Sequence, residues 1–440
     1  MKKGTCWLKS AAEGNASLVS LPGLEGLETV TGALILKGND ALETVANLQK
    51  LATLTGGLTL QNNPALTSVT GFAALTGVID GKATIQGNGA LESLDGLQGV
   101  TAIQNTVVIK DNASLKDLTG LGGLVSIDGS LTIADHATLE SLDGLGNFTG
   151  LTGYLDIHGN VALLNVSGLS GLSGSIGGNN KVVIYDNGAL TDLTGLSGIT
   201  EVTGQLQITN CDSLQGLKGL EKLTTVTGTF LIDKNDGLLD LNALGALAST
   251  AKLQIRDNIA LASIAGLSGL VGTLDGDVVI DGNIALVSLE GLDGLTEITG
   301  SITVADCDTL VTLAGLQNLV TVGKNITVKE NANMVHIDAL KGLTVANGTI
   351  EIIENASLVH VNGLENIVGH VPGSLRLNQN VVLVNIDGVD GIASTQTYVQ
   401  VIGNVSLPQC HAEEVVGDIQ AFAICIKQNL MNLCTEPFGC

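Results

Sequence analysis

The sequence predicts an all-β protein, a right-handed parallel β-helix (a solenoid) of about 17 coils with a 24-residue period and a helical, cysteine-rich cap at the carboxyl end. Three observations carry this reading. First, one polar column returns at nearly constant spacing. It is made by Asn15, Asn39, Asn63, Asn88, Asn112, Asn160, Asn187, Asn235, Asn258, Asn283, Asn331, Asn355, Asn380 and Asn404, with His136, Cys211 and Cys307 in its remaining slots. Second, leucine follows each slot by three residues, from Leu18 to Leu407, except where Met334 replaces it. Third, glycines recur at two further fixed places in the period.

With the column numbered zero, aliphatic residues recur at minus five, minus three, plus three, plus six and plus nine. One coil places Leu131, Ile133, Leu139, Leu142 and Leu145 there; another places Ile302, Val304, Leu310, Leu313 and Leu316. The minus-five and minus-three pair has period two, which puts both side chains on one face of a strand. The threefold spacing that follows fits neither a long strand nor an amphipathic helix, because Gly usually sits at plus eight, as in Gly23, Gly96, Gly144, Gly195 and Gly291. A second Gly precedes the strand, as in Gly32, Gly56, Gly129, Gly204 and Gly300, with Asn105 and Asn180 as replacements. Both glycine positions are expected to be corners in the left-handed backbone region that Gly and Asn tolerate.

Strands of successive coils are expected to pair in parallel about 4.8 Å apart, for a rod on the order of 80 Å. Each coil alone would leave its apolar face wet, so stability has to come from stacking. An inward Asn can serve turn backbone groups that the strand ladder leaves unpaired. Cys211 and Cys307 are read as small buried thiols in that ladder, and His136 as a satisfied interior residue.

Residues 1–14 read as an amino-terminal cap, 15–407 as the solenoid and 408–440 as a disulfide-bearing carboxyl cap. From His411 to about Asn429 the spacing of Val415, Val416, Ile419, Ala423 and Ile426 reads as helical. Cys410, Cys425, Cys434 and Cys440 suggest two disulfides and an oxidising compartment, leaving Cys6 odd. Nothing at the amino end has the apolar stretch of a signal peptide, and no apolar run is long enough to span a membrane. The cysteine cap outweighs the missing leader, so the expected location is extracellular or at the cell surface.

The motif L-x-I-x-x-[N/C]-x-x-L, with its Asn-or-Cys slot, resembles the leucine-rich repeat. The longer stretch NLVTVGKNITVKENANMVHIDALKGL, beginning at Asn318, is similar to the receptor L domains of insulin and EGF receptor ectodomains. The resemblance covers roughly residues 8–407 and implies a right-handed β-helical fold; no ligand contact of those receptors maps to a position here. The chain departs from them in having many more coils and no cysteine-rich module between blocks. Leu407, Pro408, Cys410, Ala412 and Glu413 also resemble an LPxCxAE element that ends some bacterial surface repeat proteins.

Formal net charge is −24, which disfavours nucleic acid and anionic membranes. Acidic residues lie between the core positions, as in LESLDGL from Leu91, and read as a solvated face. Only nine aromatic residues are present, which argues against extended carbohydrate or base-stacking platforms. Arg256 and Arg376 are the only arginines and lie five coils apart, too sparse for a polysaccharide-cleaving groove. His336 and His360 share the plus-five position on adjacent coils and are expected to stack, without further ligands for a metal. Column sequons at Asn15, Asn112, Asn355 and Asn404 are expected to be buried, whereas Asn147, Asn165, Asn325 and Asn347 are possible glycosylation sites.

The functional reading is a non-catalytic extracellular or cell-surface repeat protein that presents an extended face to a protein or glycan ligand. It needs no metal or cofactor. The alternative is self-assembly as a structural element of a wall, sheath or fibre, and the remote alternative is a polysaccharide-acting β-helix enzyme.

Overall fold

The period-two stretch of each coil forms a short strand because alternate residues enter the core together. In Leu34–Lys37, Leu34 and Leu36 are buried while Ile35 and Lys37 are not. The computed structural model describes residues 5–6 and 10–430. It is an all-β parallel solenoid of about 17 turns with a 24-residue period and one short helix near its carboxyl end. The chain divides into two compact units, Met1–Thr227 and Gly228–Cys440.

In the first unit parallel pairing runs from Ser10–Glu13 to Ile199–Thr209, and in the second it runs from Ser249–Arg256 to Ala423–Lys427. Register follows the repeat, so Val107 lies opposite Leu131, which lies opposite Leu155. A second line of shorter strands closes each coil, such as Ser126–Ile127 beside Gly150–Leu151 and Thr321–Val322 beside Val345–Ala346.

The threefold spacing comes from successive turns of 3-10 type, in which residues three apart line one side. The N–H of Leu42 donates to Asn39 O, that of Leu48 to Val45 O and that of Leu51 to Leu48 O, at 3.1, 2.9 and 2.8 Å. Ala46–Leu48 is a 3-10 segment, and equivalents recur at Thr119–Leu121 and Asn362–Leu364. The spacing therefore extends inward beyond plus nine, and Leu51 and Leu54 join the core at plus twelve and plus fifteen. Each such buried leucine contributes about 1.5–3 kcal/mol relative to exposure.

The expected corners need correction. The residue just before the column has a positive φ in every coil from Gly14 to Gln428. Gly, Asn or Asp fills most of these places, but Lys234, Glu330, Glu354, Gln379 and Gln428 also take it. For those five the left-handed backbone costs roughly 1–2 kcal/mol each, which the ladder residue that follows must offset. Glycines before the strand are mostly not left-handed. At Gly129, a Cβ would run into the backbone of Asn105 and Thr106 on the preceding coil. Close approach explains that column, and Asn105, with no positive φ, is not a left-handed corner either. At plus eight the reasons divide. Gly144 has φ +108°, and its Cβ would also collide with the Leu118 carbonyl. Gly195, with no positive φ, is not a left-handed corner, and the Val166 carbonyl alone excludes a side chain there.

The carboxyl end also differs from expectation. The helix covers only Gln409–Val416, and the chain then returns to the sheet as Ala423–Lys427, paired with Tyr398–Ile402. Ala423 and Ile426 thus belong to a strand, and their apparent helical spacing is coincidental. Asn429 continues the column, its Oδ1 accepting from the Asn404 N–H at 3.0 Å. The predicted cap boundary at 408 therefore cuts into a further coil.

Gly144→Ala should lower stability by about 2–3 kcal/mol, through a strained φ and a blocked coil contact. Gly146→Ala, where a Cβ meets nothing within 4 Å and φ is not positive, should be near neutral. Urea denaturation midpoints of the two variants would check this; equal midpoints would contradict the close-stacking account.

Candidate functional site

The column forms a repeated hydrogen-bond unit that joins neighbouring coils. Asn63 shows the pattern: its backbone N–H and its Nδ2 both donate to Asn88 Oδ1, at 3.1 and 3.2 Å, while Nδ2 also donates to Leu36 O at 2.9 Å. That carbonyl belongs to the preceding strand, beside the left-handed corner. One amide thus satisfies groups on three coils, which explains the lack of solvent exposure from Asn39 to Asn187 in the first unit and from Asn235 to Asn404 in the second. Asn15 departs from the expected burial. It is exposed, and its Nδ2 reaches only Glu13 O and Asn39 Oδ1, because no earlier coil covers it among the described residues. Its sequon is accessible for the same reason.

His136 reproduces the amide with a ring. The Asn112 N–H donates to Nδ1 at 3.3 Å, and Nε2 lies 3.2 Å from Ile109 O, the carbonyl an asparagine Nδ2 would reach. Nδ1 also lies 3.1 Å from Asn112 O, so Nε2 faces one carbonyl while Nδ1 faces both the N–H and the carbonyl of Asn112. Burial lowers the His136 pKa below the ordinary histidine value. Cys307 receives less: its N–H donates to Asn331 Oδ1 at 3.1 Å and its thiol to Ala305 O at 3.1 Å. The Cys211 thiol donates to Thr209 O at 3.4 Å. Burial raises both thiols to about 12, against the opposing effect of the preceding asparagine N–H groups, so neither is a nucleophile at neutral pH.

The outward sheet face carries a different assembly, in the first unit. Strand alternation turns Tyr154, Asp156 and His158 out of Leu155–His158 and the residue before it, and Lys181 and Tyr185 out of the next coil. His158 Nδ1 lies 2.7 Å from Asp156 Oδ1, and Lys181 Nζ lies 3.4 Å from Asp156 Oδ2. The rings of His158 and Tyr185 stack at 4.5 Å, and Lys181 lies 5.3 Å from the centre of the Tyr154 ring. On the preceding coil Ala134 leaves a gap, across which Lys110 reaches Asp135 at 2.8 Å. Asp135 holds the Lys110 pKa above its usual range, and burial raises that of Tyr185. This group spans several columns of the repeat and two coils, so no single column of the sequence marks it. The available signal was two of the chain's three tyrosines at minus six and minus two of adjacent coils.

His336 and His360 stack with ring centres 6.0 Å apart and are half-buried. Asp338 lies beside both, 3.6 Å from His336 Nδ1 and 3.8 Å from His360 Nδ1. Among the described residues no group of three or more His, Cys, Asp or Glu side chains is placed to hold a metal ion. Arg376 is engaged with Glu351 and lies 5.5 Å from the Tyr398 ring centre. Asn147, Asn325 and Asn347 are exposed and Asn165 half-buried; the Asn147 amide donates to Gly122 O at 2.8 Å. Cys425 is half-buried on the last strand, and Cys434 and Cys440 lie outside the described residues. Among the described residues no helix is long and apolar enough to cross a membrane.

Asn283→Leu should cost on the order of 3 kcal/mol, because Ile255 O, Asp281 O and the Asn258 donors all lose a buried partner. Asn15→Leu should be nearly neutral. Equal unfolding midpoints for the two variants would contradict the ladder account. For His136 the folded pKa lies below the unfolded one, so its stabilisation is complete above the ordinary histidine range. It is lost as pH falls through that range to the lowered folded value. His136→Asn should remove this part of the pH dependence, seen as a shrinking difference in midpoint between the two proteins on going from mildly acidic to basic buffer. A pH-independent difference would contradict it.

No protein-family model matches the chain, and no curated protein matches it. Solved structures similar to it include an internalin from Listeria monocytogenes, with 14% identity, 79% of this chain and 81% of that chain covered, and a TM-score of 0.29. The mouse RP105/MD-1 complex gives 14% identity, coverage of 98% and 91%, and a TM-score of 0.25. A TLR13–ssRNA13 complex gives 13% identity, coverage of 98% and 75%, and a TM-score of 0.22. At these scores the likenesses add nothing to the reading. The repeat motif resembles the leucine-rich repeat, and the fold itself is a parallel β-solenoid with an Asn-or-Cys ladder.

Proposed function

We propose that the chain is a non-catalytic recognition scaffold working outside the cell or at its surface. In this reading a partner protein docks on the outward sheet face around Tyr154, Asp156, His158, Lys181 and Tyr185. The observation that carries the reading is that cluster itself. In a chain with nine aromatic residues, two tyrosines and a histidine share one patch, with Lys and Asp groups close beside them. Tyrosine is among the few residue types that carry most of the binding energy in protein interfaces. A protein suits it better than a glycan, because the His158 and Tyr185 rings cover each other's faces. Net charge of −24 disfavours nucleic acid. In this reading an oxidising location accords with Cys410, Cys425, Cys434 and Cys440 near the carboxyl end and with the exposed sequons at Asn15, Asn147, Asn325 and Asn347.

The test uses the full chain as bait against cell-surface extracts, followed by affinity measurement on any captured protein. Tyr154→Ala and Tyr185→Ala should each weaken binding about 10-fold or more. Thr59→Ala, on the same sheet face several coils away, should leave it unchanged. Binding that is indifferent to both tyrosine variants would place the docking site elsewhere.

A further inference from the structure

The plus-four position of each coil lies on the outside of the turn that follows the ladder. In the first unit it is mixed surface: Glu43, Thr67, Glu92, Lys116 and Glu140 occupy it in succession, flanked by the exposed aliphatic Val19 and Leu164. In the second unit the same position turns aliphatic. It begins at Leu239 and Ala262 and continues as Val287, Val311, Val335, Val359 and Val384 without a polar interruption. These side chains are not core. Leu239 is 49% exposed, Val287 56%, Val311 48% and Val384 47%. Backbone bonds tie the positions together: Val335 N–H donates to Val311 O, Val359 to Val335 and Val384 to Val359, at 2.9, 3.0 and 3.0 Å. The result is a straight aliphatic strip with one side chain per coil.

The neighbouring plus-one column widens it. Residues three apart share a side in such turns, and Ile259, Ile284, Val381 and Val405 are also 41–54% exposed. Between Asp236 and Val405 the two columns carry charge only at Asp236 and Asp308. Because Glu43, Glu92 and Lys116 occupy the same site in the same coil, the fold does not require an apolar residue there. Exposed aliphatic residues on seven successive coils, valine on five of them, need another explanation, and contiguous patches of this kind mark interaction surfaces.

We propose that this strip is a homodimer interface, covered in solution by the same strip of a second copy. Charge permits that occupant here rather than elsewhere: two chains of −24 repel over most of their surfaces, and a strip charged only at Asp236 and Asp308 is where they approach with least repulsion. Geometry agrees, because a strip with one side chain per coil repeats at the strand spacing of about 4.8 Å, and only a surface of equal period can interlock along its length. A twofold axis would pair the strip with itself. Area agrees as well: the half-exposed aliphatic side chains offer on the order of 700 Å² per copy, close to the share of one partner in a standard interface. Valine is stiff at χ1, so ordering it costs little entropy.

Sedimentation velocity of the full chain over the micromolar range tests this. The wild type should sediment as a dimer, and added salt should tighten it by screening repulsion. Val335→Glu combined with Val359→Glu should weaken the dimer at least about 100-fold, the equivalent of about 2.7 kcal/mol. The milder Val335→Thr and Val359→Thr pair, which keeps shape and β preference, should weaken it less but in the same direction, guarding against misfolding as the cause. Thr67→Glu, at the equivalent place in the first unit, should have no effect. A monomeric wild type, or a dimer indifferent to both double variants, would overturn the proposal. So would a monomer that floats with neutral phosphatidylcholine vesicles, since a lipid surface would then be the occupant. None of these readouts involves the recognition face, so failure here and failure there are distinguishable.

Discussion

The structure depends on one buried amide per coil. At that place the chain leaves the sheet, turns through a left-handed residue and enters a run of 3-10 turns. The bend withdraws Leu36 O and its equivalents from strand pairing, and such groups are costly to bury alone. Asn63 Nδ2 answers Leu36 O on one side, and Asn88 Oδ1 answers the Asn63 N–H on the other. Each amide depends on the next coil for its own satisfaction, so the ladder and the stacking require each other. His136 is accepted because its ring nitrogens lie where the amide O and N would be. Cys307 keeps a weaker donor and brings no comparable acceptor, so a coil can survive a thinner version of the bond.

Tight stacking also explains the glycines. Coils that follow one another at strand spacing leave no room for a Cβ where two backbones cross, as at Gly129 over Asn105 or Gly144 over Leu118. The corner before the ladder is less exacting. It asks for a left-handed φ yet tolerates Lys234, Glu330 and Gln379, because a side chain there points into solvent. Steric exclusion is therefore the stricter constraint, and backbone strain is an expense the repeat can absorb in some coils.

Inward columns constrained this closely leave the outward ones free to vary. The two units use that freedom differently. The first gathers tyrosine, histidine, lysine and aspartate on its sheet face, with partners already in place between side chains. The second lines its turns with valine. Neither feature helps a coil to fold, and together they give one scaffold two chemically distinct surfaces.

Periodicity by itself determined the parallel solenoid, the place of the ladder in each coil and the core positions from Leu131 to Leu145. Those follow from short-range patterns in which one residue type repeats for one physical reason. What the tertiary structure decided was everything set by contact between coils. Whether a glycine serves φ or proximity depends on the coil beneath it, which is why Gly129 and Gly144 look alike in sequence and differ in cause. Asn429 was hidden because the spacing through Val416, Ile419 and Ala423 imitates one continuous helix, whereas the helix ends at Val416 and pairing with Tyr398–Ile402 makes Ala423–Lys427 a strand. The Tyr154–Tyr185 cluster joins residues 31 positions apart on different coils, and the fold alone brings them together. Position in the repeat is a local property, whereas adjacency across the stack is not.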